Sequence, residues 1–199
     1  MALDMEAVKK LREQTGISIL ECKKAVEEAS GDLAKAADIL RKKGFEKAKA
    51  KSTRVTNQGA IGSYIHMKGK IGVLLELGCE TDFVAQNEDF LQLIKDIAMQ
   101  IAAMNPRFIA ENDIPADVLE KEKEIYREQL KSSGKPAQII EKIVEGKLSK
   151  YFAEACLLKQ NFFKDDTLTI EKLIAEKIHK TGENIIVKRF VRYQVGEES

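Results

Sequence analysis

The feature that most constrains this chain is a change of hydrophobic period near residue 58. Upstream, apolar residues recur every three or four positions. From Ile61 they recur every second position: Ile61, Ser63 and Ile65 alternate with their neighbours up to Met67-Lys68-Gly69-Lys70. Beyond that turn Ile71, Val73, Leu75, Leu77 and Cys79 share one face. Period two sends successive side chains to opposite faces of a strand, so the stretch predicts a β-hairpin with one buried face. The terminal run Ile185–Val195 alternates likewise, with Val187, Arg189, Val191, Tyr193 and Val195 together, and supplies a third strand. A lone hairpin is marginal in water, and a three-stranded antiparallel sheet needs helices over one face. The fold class is therefore α+β.

The helices are legible on either side. Residues 4–44 predict three short ones. The first carries Met5, Val8 and Leu11 and stops before Thr15-Gly16. The second opens on Ser18-Ile19-Leu20-Glu21, a capping box in which the Ser18 hydroxyl accepts from an early N–H and Glu21 reaches back. It buries Cys22, Ala25, Val26 and Ala29 and ends at Ser30-Gly31. Asp32 caps the third, whose inner face is Leu33, Ala37 and Leu40, and Gly44 supplies the stop. A unit of about 40 residues sits at the lower limit of independent stability, so residues 1–45 read as a docking module rather than a catalytic domain. Residues 46–57 read as a basic linker, with Lys42, Lys43, Lys47, Lys49, Lys51 and Arg54 facing only Glu46 as counter-charge. Such a run is a solvated face by default; the sharper reading is contact with an acidic protein surface or RNA.

Residues 58–199 form the core domain. Asn87–Met104 predicts a helix with the stripe Phe90, Leu91, Ile94, Ile97, Ala98 and Ile101, ended by Asn105-Pro106. Residues 115–131 and 136–157 predict two more, joined through Ser132-Ser133-Gly134-Lys135-Pro136. Val118/Leu119, Ile125/Tyr126 and Leu130 recur on one; Ile139/Ile140, Ile143, Leu148, Tyr151 and Phe152 recur on the other. Two stripes with a tight turn between them predict an antiparallel helical hairpin projecting from the core. A last helix, Ile170–Lys180, leads through Gly182 to the final strand.

Composition narrows the function. Lys and Arg number 33 against 32 for Asp and Glu, a net charge of +1, whereas a chain that lives on nucleic acid shows a clear basic excess. The basic run also has no interleaved aromatics, so no direct nucleic-acid partner is expected. Cys22, Cys79 and Cys156 are far apart, which suits small core residues in a reducing, cytoplasmic setting rather than a disulfide framework or zinc site. The N-terminus contains acids and lacks an apolar signal region, and no apolar run is long enough for a membrane span. His66 and His179 are distant from each other and from any ligand spacing, and Glu27-Glu28 and Asp165-Asp166 lie in polar segments. Phosphate-loop, dinucleotide, nucleophile-elbow and metalloprotease motifs are all missing. No metal, cofactor or catalytic residue is expected, and the chain does not read as an enzyme.

One corner stands out. Leu77-Gly78-Cys79-Glu80 runs into Thr81-Asp82-Phe83-Val84-Ala85-Gln86-Asn87, setting an acid beside a large aromatic where strand meets helix. Two readings are open. Asp82 or Asn87 caps a helix while Phe83 plugs the chain's own core, which the pattern alone favours. Otherwise Phe83 anchors in a partner's pocket and Asp82 supplies directed charge.

Longer motifs bear on that choice. KKLREQTGISILECKKAVEEASGDLAKAADILRKKG (Lys9–Gly44) resembles the ubiquitin-associated-like N-terminal domain of the elongation factor Ts family. CETDFVAQNEDF (Cys79–Phe90) resembles that family's signature, and Ser133–Asp166 and Gly182–Gly196 resemble its later blocks. The resemblance implies a guanine-nucleotide exchange factor in translation elongation whose partner is GDP-bound elongation factor Tu. It implies that Asp82 and Phe83, flanked by Thr81 and Val84, intrude near the partner's Mg²⁺ site, that the N-terminal module docks on the partner's nucleotide domain, and that the helical hairpin is a secondary contact. The metal belongs to the partner. With one copy of the strand-hairpin core, the chain resembles the short bacterial form, and a homodimer pairing two sheets becomes a hypothesis. No cysteine follows Cys156, so the last strand could not lock such a dimer covalently. An RNA- or ribosome-binding module using the basic connector is the alternative.

Overall fold

The computed structural model describes residues 5–131 and 135–197. Three helices come first: α1 (Met5–Thr15), α2 (Ile19–Glu28) and α3 (Leu33–Lys51). Their apolar stripes close on one another, burying Val8, Leu11, Cys22, Ala25, Val26, Ala36 and Leu40 in a core of their own. Ser18 caps α2, accepting from Glu21 N–H at 3.4 Å, and Asp32 caps α3, accepting from Lys35 N–H at 3.1 Å. The expected stop at Gly44 is overturned, and residues 46–51, read as linker, are helical. Gly44 is there for closeness instead. A Cβ on it would lie 3.0 Å from Nδ1 of His179, so the bare backbone lets α3 approach that ring.

The hairpin follows as β1 (Gln58–His66) and β2 (Ile71–Cys79), and β5 (Ile186–Gln194) completes a three-stranded antiparallel sheet in the order β1-β2-β5. The β2–β5 register is visible in two places: Arg189 Nε donates to Glu76 at 2.7 Å, and Val195 N–H donates to Lys70 O at 2.9 Å. Six residues along one strand are matched by six back along the other. Val73, Leu75, Leu77 and Cys79 are buried, as period two requires.

Between β2 and β5 come α4 (Asp82–Ala85), α5 (Glu88–Met104), α6 (Ala116–Lys131), α7 (Ala137–Ala155), a small hairpin of β3 (Asn161–Phe162) and β4 (Asp165–Thr169), and α8 (Ile170–Thr181). The buried stripe of α5 uses Leu93 where Leu91 was expected; Leu91 is exposed. Helices α6 and α7 run antiparallel, linked by a two-pronged Arg127–Glu141 pair at 2.8 and 3.0 Å. On this pair Ile125 and Ile139 face outward, while Val144, absent from the expected stripe, is buried. The turn expected at 132–134 lies outside the described residues.

By internal packing the chain divides into two units. One comprises Met1–Ser63, Leu74–Asp96 and Lys172–Phe190; within it Gly62 of β1 lies against Ile94 of α5, where any Cβ would overlap the isoleucine methyl. The other comprises Tyr64–Val73, Ile97–Glu171 and Val191–Ser199. Its interior contains Gln100, fully buried: the amide donates to Gln160 and to Asn161 O, both at 3.1 Å, and its oxygen accepts from Phe163 N–H at 2.9 Å. Every polar atom of that side chain is matched, which is what lets it sit in a core.

Candidate functional site

The corner after β2 is built by backbone chemistry. Thr81 leaves the strand in an extended conformation (φ −126°, ψ 158°) and caps α4, its hydroxyl accepting from Val84 N–H at 3.4 Å. Ala85 N–H bonds back to Thr81 O at 3.2 Å, and Gln86 N–H to Asp82 O at 3.1 Å. Asn87 then starts α5, its side chain accepting from Asp89 N–H at 2.8 Å. A single short turn is thus fastened at both ends, and Asp82 and Phe83 sit in its first half.

Exposure separates the four residues. Thr81 and Val84 are half-buried, Ala85 faces inward, and Asp82 is exposed. Phe83 is 85% exposed, so the core-plug reading is overturned; Leu75, Leu77 and Phe90 fill that interior. Capping falls to Thr81 and Asn87, leaving the Asp82 carboxylate without a capping duty.

The strand end beneath is held by groups distant in sequence. Glu183 accepts from Thr81 N–H at 3.0 Å and from the Thr81 hydroxyl at 2.6 Å. Glu80 accepts from Asn184 N–H at 2.6 Å, lies 3.5 Å from Arg54, and Asn184 donates its amide to Arg54 O at 2.9 Å. Cys79 Sγ donates to Thr81 O at 3.1 Å. Burial, aided by the charge of Glu183, pushes the Cys79 thiol up, so it is an inert packing group. Sequence reading missed Glu183 and Asn184; the only local signal was their position in the turn after Gly182.

Two further expectations change here. The basic run does not face Glu46 alone: Lys43 pairs with Glu28 at 2.6 Å, Lys47 with Glu21, and Arg54 with Glu80. Lys51 donates to Gly182 O. Only the Ser18 half of the expected capping box forms: the Glu21 carboxylate is turned instead to His179 Nε2 at 3.0 Å, with Lys47 Nζ 3.2 Å from that nitrogen. The His179 side chain is 2% exposed and therefore a structural residue joining α2, α3 and α8. Near it a cleft of about 430 Å³ is lined by Gly16, Arg41, Asp89, Glu176, Lys177 and Lys180, but Asp89 already meets Lys177 at 3.2 Å and Lys180 at 2.5 Å, and Arg41 meets Glu176 at 3.0 Å. Among the described residues no three His, Cys, Asp or Glu side chains are grouped to hold a metal ion, and no helix is long and apolar enough to cross a membrane.

Comparison with known proteins concerns the chain as a whole. A family model described as elongation factor TS matches residues 4–197. The chain is 58% identical over 197 residues to the elongation factor Ts of Fervidobacterium nodosum, covering 99% of this chain and 100% of that one. It is 60% identical to that of Thermodesulfovibrio yellowstonii (99% and 98% covered) and 55% identical to that of Thermotoga maritima (99% and 98% covered).

Proposed function

The chain belongs to the elongation factor Ts family, and from that membership we propose that it releases GDP from elongation factor Tu by wedging Asp82 and Phe83 into the partner's Mg²⁺ and nucleotide site. It is a translation elongation factor, the nucleotide-exchange partner of elongation factor Tu. The observation that carries the mechanism is the 85% exposure of Phe83 on a capped turn. A ring held out in water gives up almost nothing of its own fold when it enters a partner's pocket. Asp82 beside it brings a negative charge to a place where the partner balances Mg²⁺ against phosphate, and disturbing that balance weakens the nucleotide.

Exchange in this scheme breaks no covalent bond. Binding energy from the wedge is spent on a partner conformation that holds GDP poorly. By linkage, bound nucleotide weakens the factor's grip by the same ratio, so the factor speeds release and nucleotide supply sets the direction. The three-helix module docks on the partner's nucleotide domain, α6 and α7 make a secondary contact, and the setting is the cytoplasm. The rival RNA-binding reading loses support from the carboxylates on Lys43, Lys47 and Arg54. A homodimer is part of the proposal. In each unit the strand face turned away from α5 carries exposed apolar residues, Ile61 and Leu74 beside the Arg189–Glu76 pair in one and Ile65 and Tyr193 in the other, and a second copy's sheet would cover it.

The test is release of a fluorescent GDP analogue from elongation factor Tu. Substoichiometric chain is expected to accelerate release through repeated turnovers, with little effect of added RNA. No acceleration, or acceleration that needs RNA, overturns the proposal. Sedimentation at micromolar concentration tests the dimer: monomer with full exchange activity removes it.

A further inference from the structure

A four-residue helix cannot hold its own direction, because helix formation gains nothing until well past the first turn. The aim of α4 is therefore set by what grips Thr81. Both of that residue's donors go to one carboxylate: Glu183 Oε2 takes the N–H at 3.0 Å and Oε1 takes the hydroxyl at 2.6 Å. With its proton committed to Glu183, the hydroxyl turns a lone pair to Val84 N–H, the bond that caps α4. Charge-assisted bonds of this kind are the strong ones, and a two-oxygen grip on two donors of one residue fixes orientation as well as distance.

Glu183 is itself well held. Its N–H donates to Thr181 Oγ1 at 3.3 Å, and the preceding Gly182, at φ +79°, supplies the left-handed bend that turns the chain from α8 towards β5. The next residue returns the exchange, Asn184 N–H donating to Glu80 at 2.6 Å. Segments 80–81 and 183–184 thus trade side-chain-to-backbone bonds reciprocally.

We infer that Glu183 is a positioning residue for nucleotide exchange: it orients Thr81 and, through it, the direction in which Asp82 and Phe83 leave the corner. The inference rests on the wedge reading above. Losing Glu183 leaves docking elsewhere intact, but the tip reaches the partner's site in many directions rather than one. Misplacement of this sort reduces the rate in the bound complex and leaves the concentration needed for binding nearly unchanged.

The experiment is stopped-flow GDP release from elongation factor Tu over a range of full-length chain concentrations, using wild type, Glu183→Ala, Glu183→Gln and Phe83→Ala, each checked for cooperative thermal unfolding. Glu183→Ala is expected to lower the limiting rate about tenfold, with the half-saturating concentration moving less than about twofold. Glu183→Gln keeps one carbonyl acceptor for the Thr81 N–H but loses the second, and is expected to run about threefold below wild type, between wild type and Glu183→Ala. A wild-type limiting rate for Glu183→Ala, with Phe83→Ala slow, overturns the positioning role and leaves the wedge standing. A wild-type rate for Phe83→Ala sinks the wedge and the inference with it. A loss that merely tracks the unfolded fraction, with Glu183→Gln no better than Ala, makes Glu183 structural and overturns the inference. Should Glu183→Ala fail to fold, a limiting rate for Glu183→Gln equal to wild type overturns it alone.

Discussion

Replacing Phe83 with alanine should separate the wedge from the fold. A free phenylalanine side chain presents about 200 Å², and Phe83 is 85% exposed, so ~170 Å² is left for a partner to cover. Truncation to a methyl removes about two-thirds of that surface, worth ~3 kcal/mol at ~25 cal/mol per Å². That loss falls on the complex. The ring touches little of its own chain, so folding stability should change by no more than about 0.5 kcal/mol. Only contacts made in the nucleotide-releasing state speed release; if the ring is engaged there and free at first docking, ~3 kcal/mol corresponds to roughly 100-fold in rate. The assay pairs stopped-flow release of the fluorescent GDP analogue with a thermal melt. A wild-type release rate refutes the argument from burial. So does a fall in Tm of more than about 5 °C, which exceeds ~1 kcal/mol for a chain of this size, because it returns Phe83 to a structural role.

Three other outcomes follow from the same structure. Burial pushes the Glu21 carboxyl up, but Lys47 and His179 outweigh it and hold the group below its ordinary 4.5. Its stabilisation is complete above 4.5 and is lost as pH falls through the lowered value, so Glu21→Gln should flatten the acid limb of a denaturant-stability profile; parallel acid limbs would contradict this. Burial, with a hydrogen bond to Glu122, pushes the Tyr126 phenol from 10 up to about 12. That stability is full below 10 and is lost as pH rises through about 12; ultraviolet titration of Tyr126→Phe should lack this last ionisation. Gly62→Ala forces a methyl into Ile94 and should cost about 1–3 kcal/mol in urea unfolding, with the exchange rate of the folded fraction unchanged.

How far the sequence could be read depends on the distance over which each property is encoded. The strands were legible because period two is written in neighbouring residues, and burial of Val73, Leu75, Leu77 and Cys79 follows it directly. The helices were legible for the same reason, down to the Ser18 and Asp32 caps. The misreadings share a cause. Gly44 looked like a helix stop because glycine is one locally, yet here it serves contact with a ring 135 positions later. Leu91 and Leu93 both suit a helical stripe, and only the packing around α5 decides which is buried. The Lys-rich run looked uncompensated because its carboxylates come from α2 and the end of β2.

At the corner between β2 and α4 the division is sharpest. Thr81-Asp82-Phe83-Val84 and its family resemblance were in the sequence, as was the strand-to-helix break that makes a corner. That Phe83 stands in water, and that Thr81 hangs from Glu183 across 102 residues, was decided only when the sheet brought those segments together. Periodicity records which side of an element a residue occupies. It carries no record of which distant group arrives there, because that depends on the path of the whole chain.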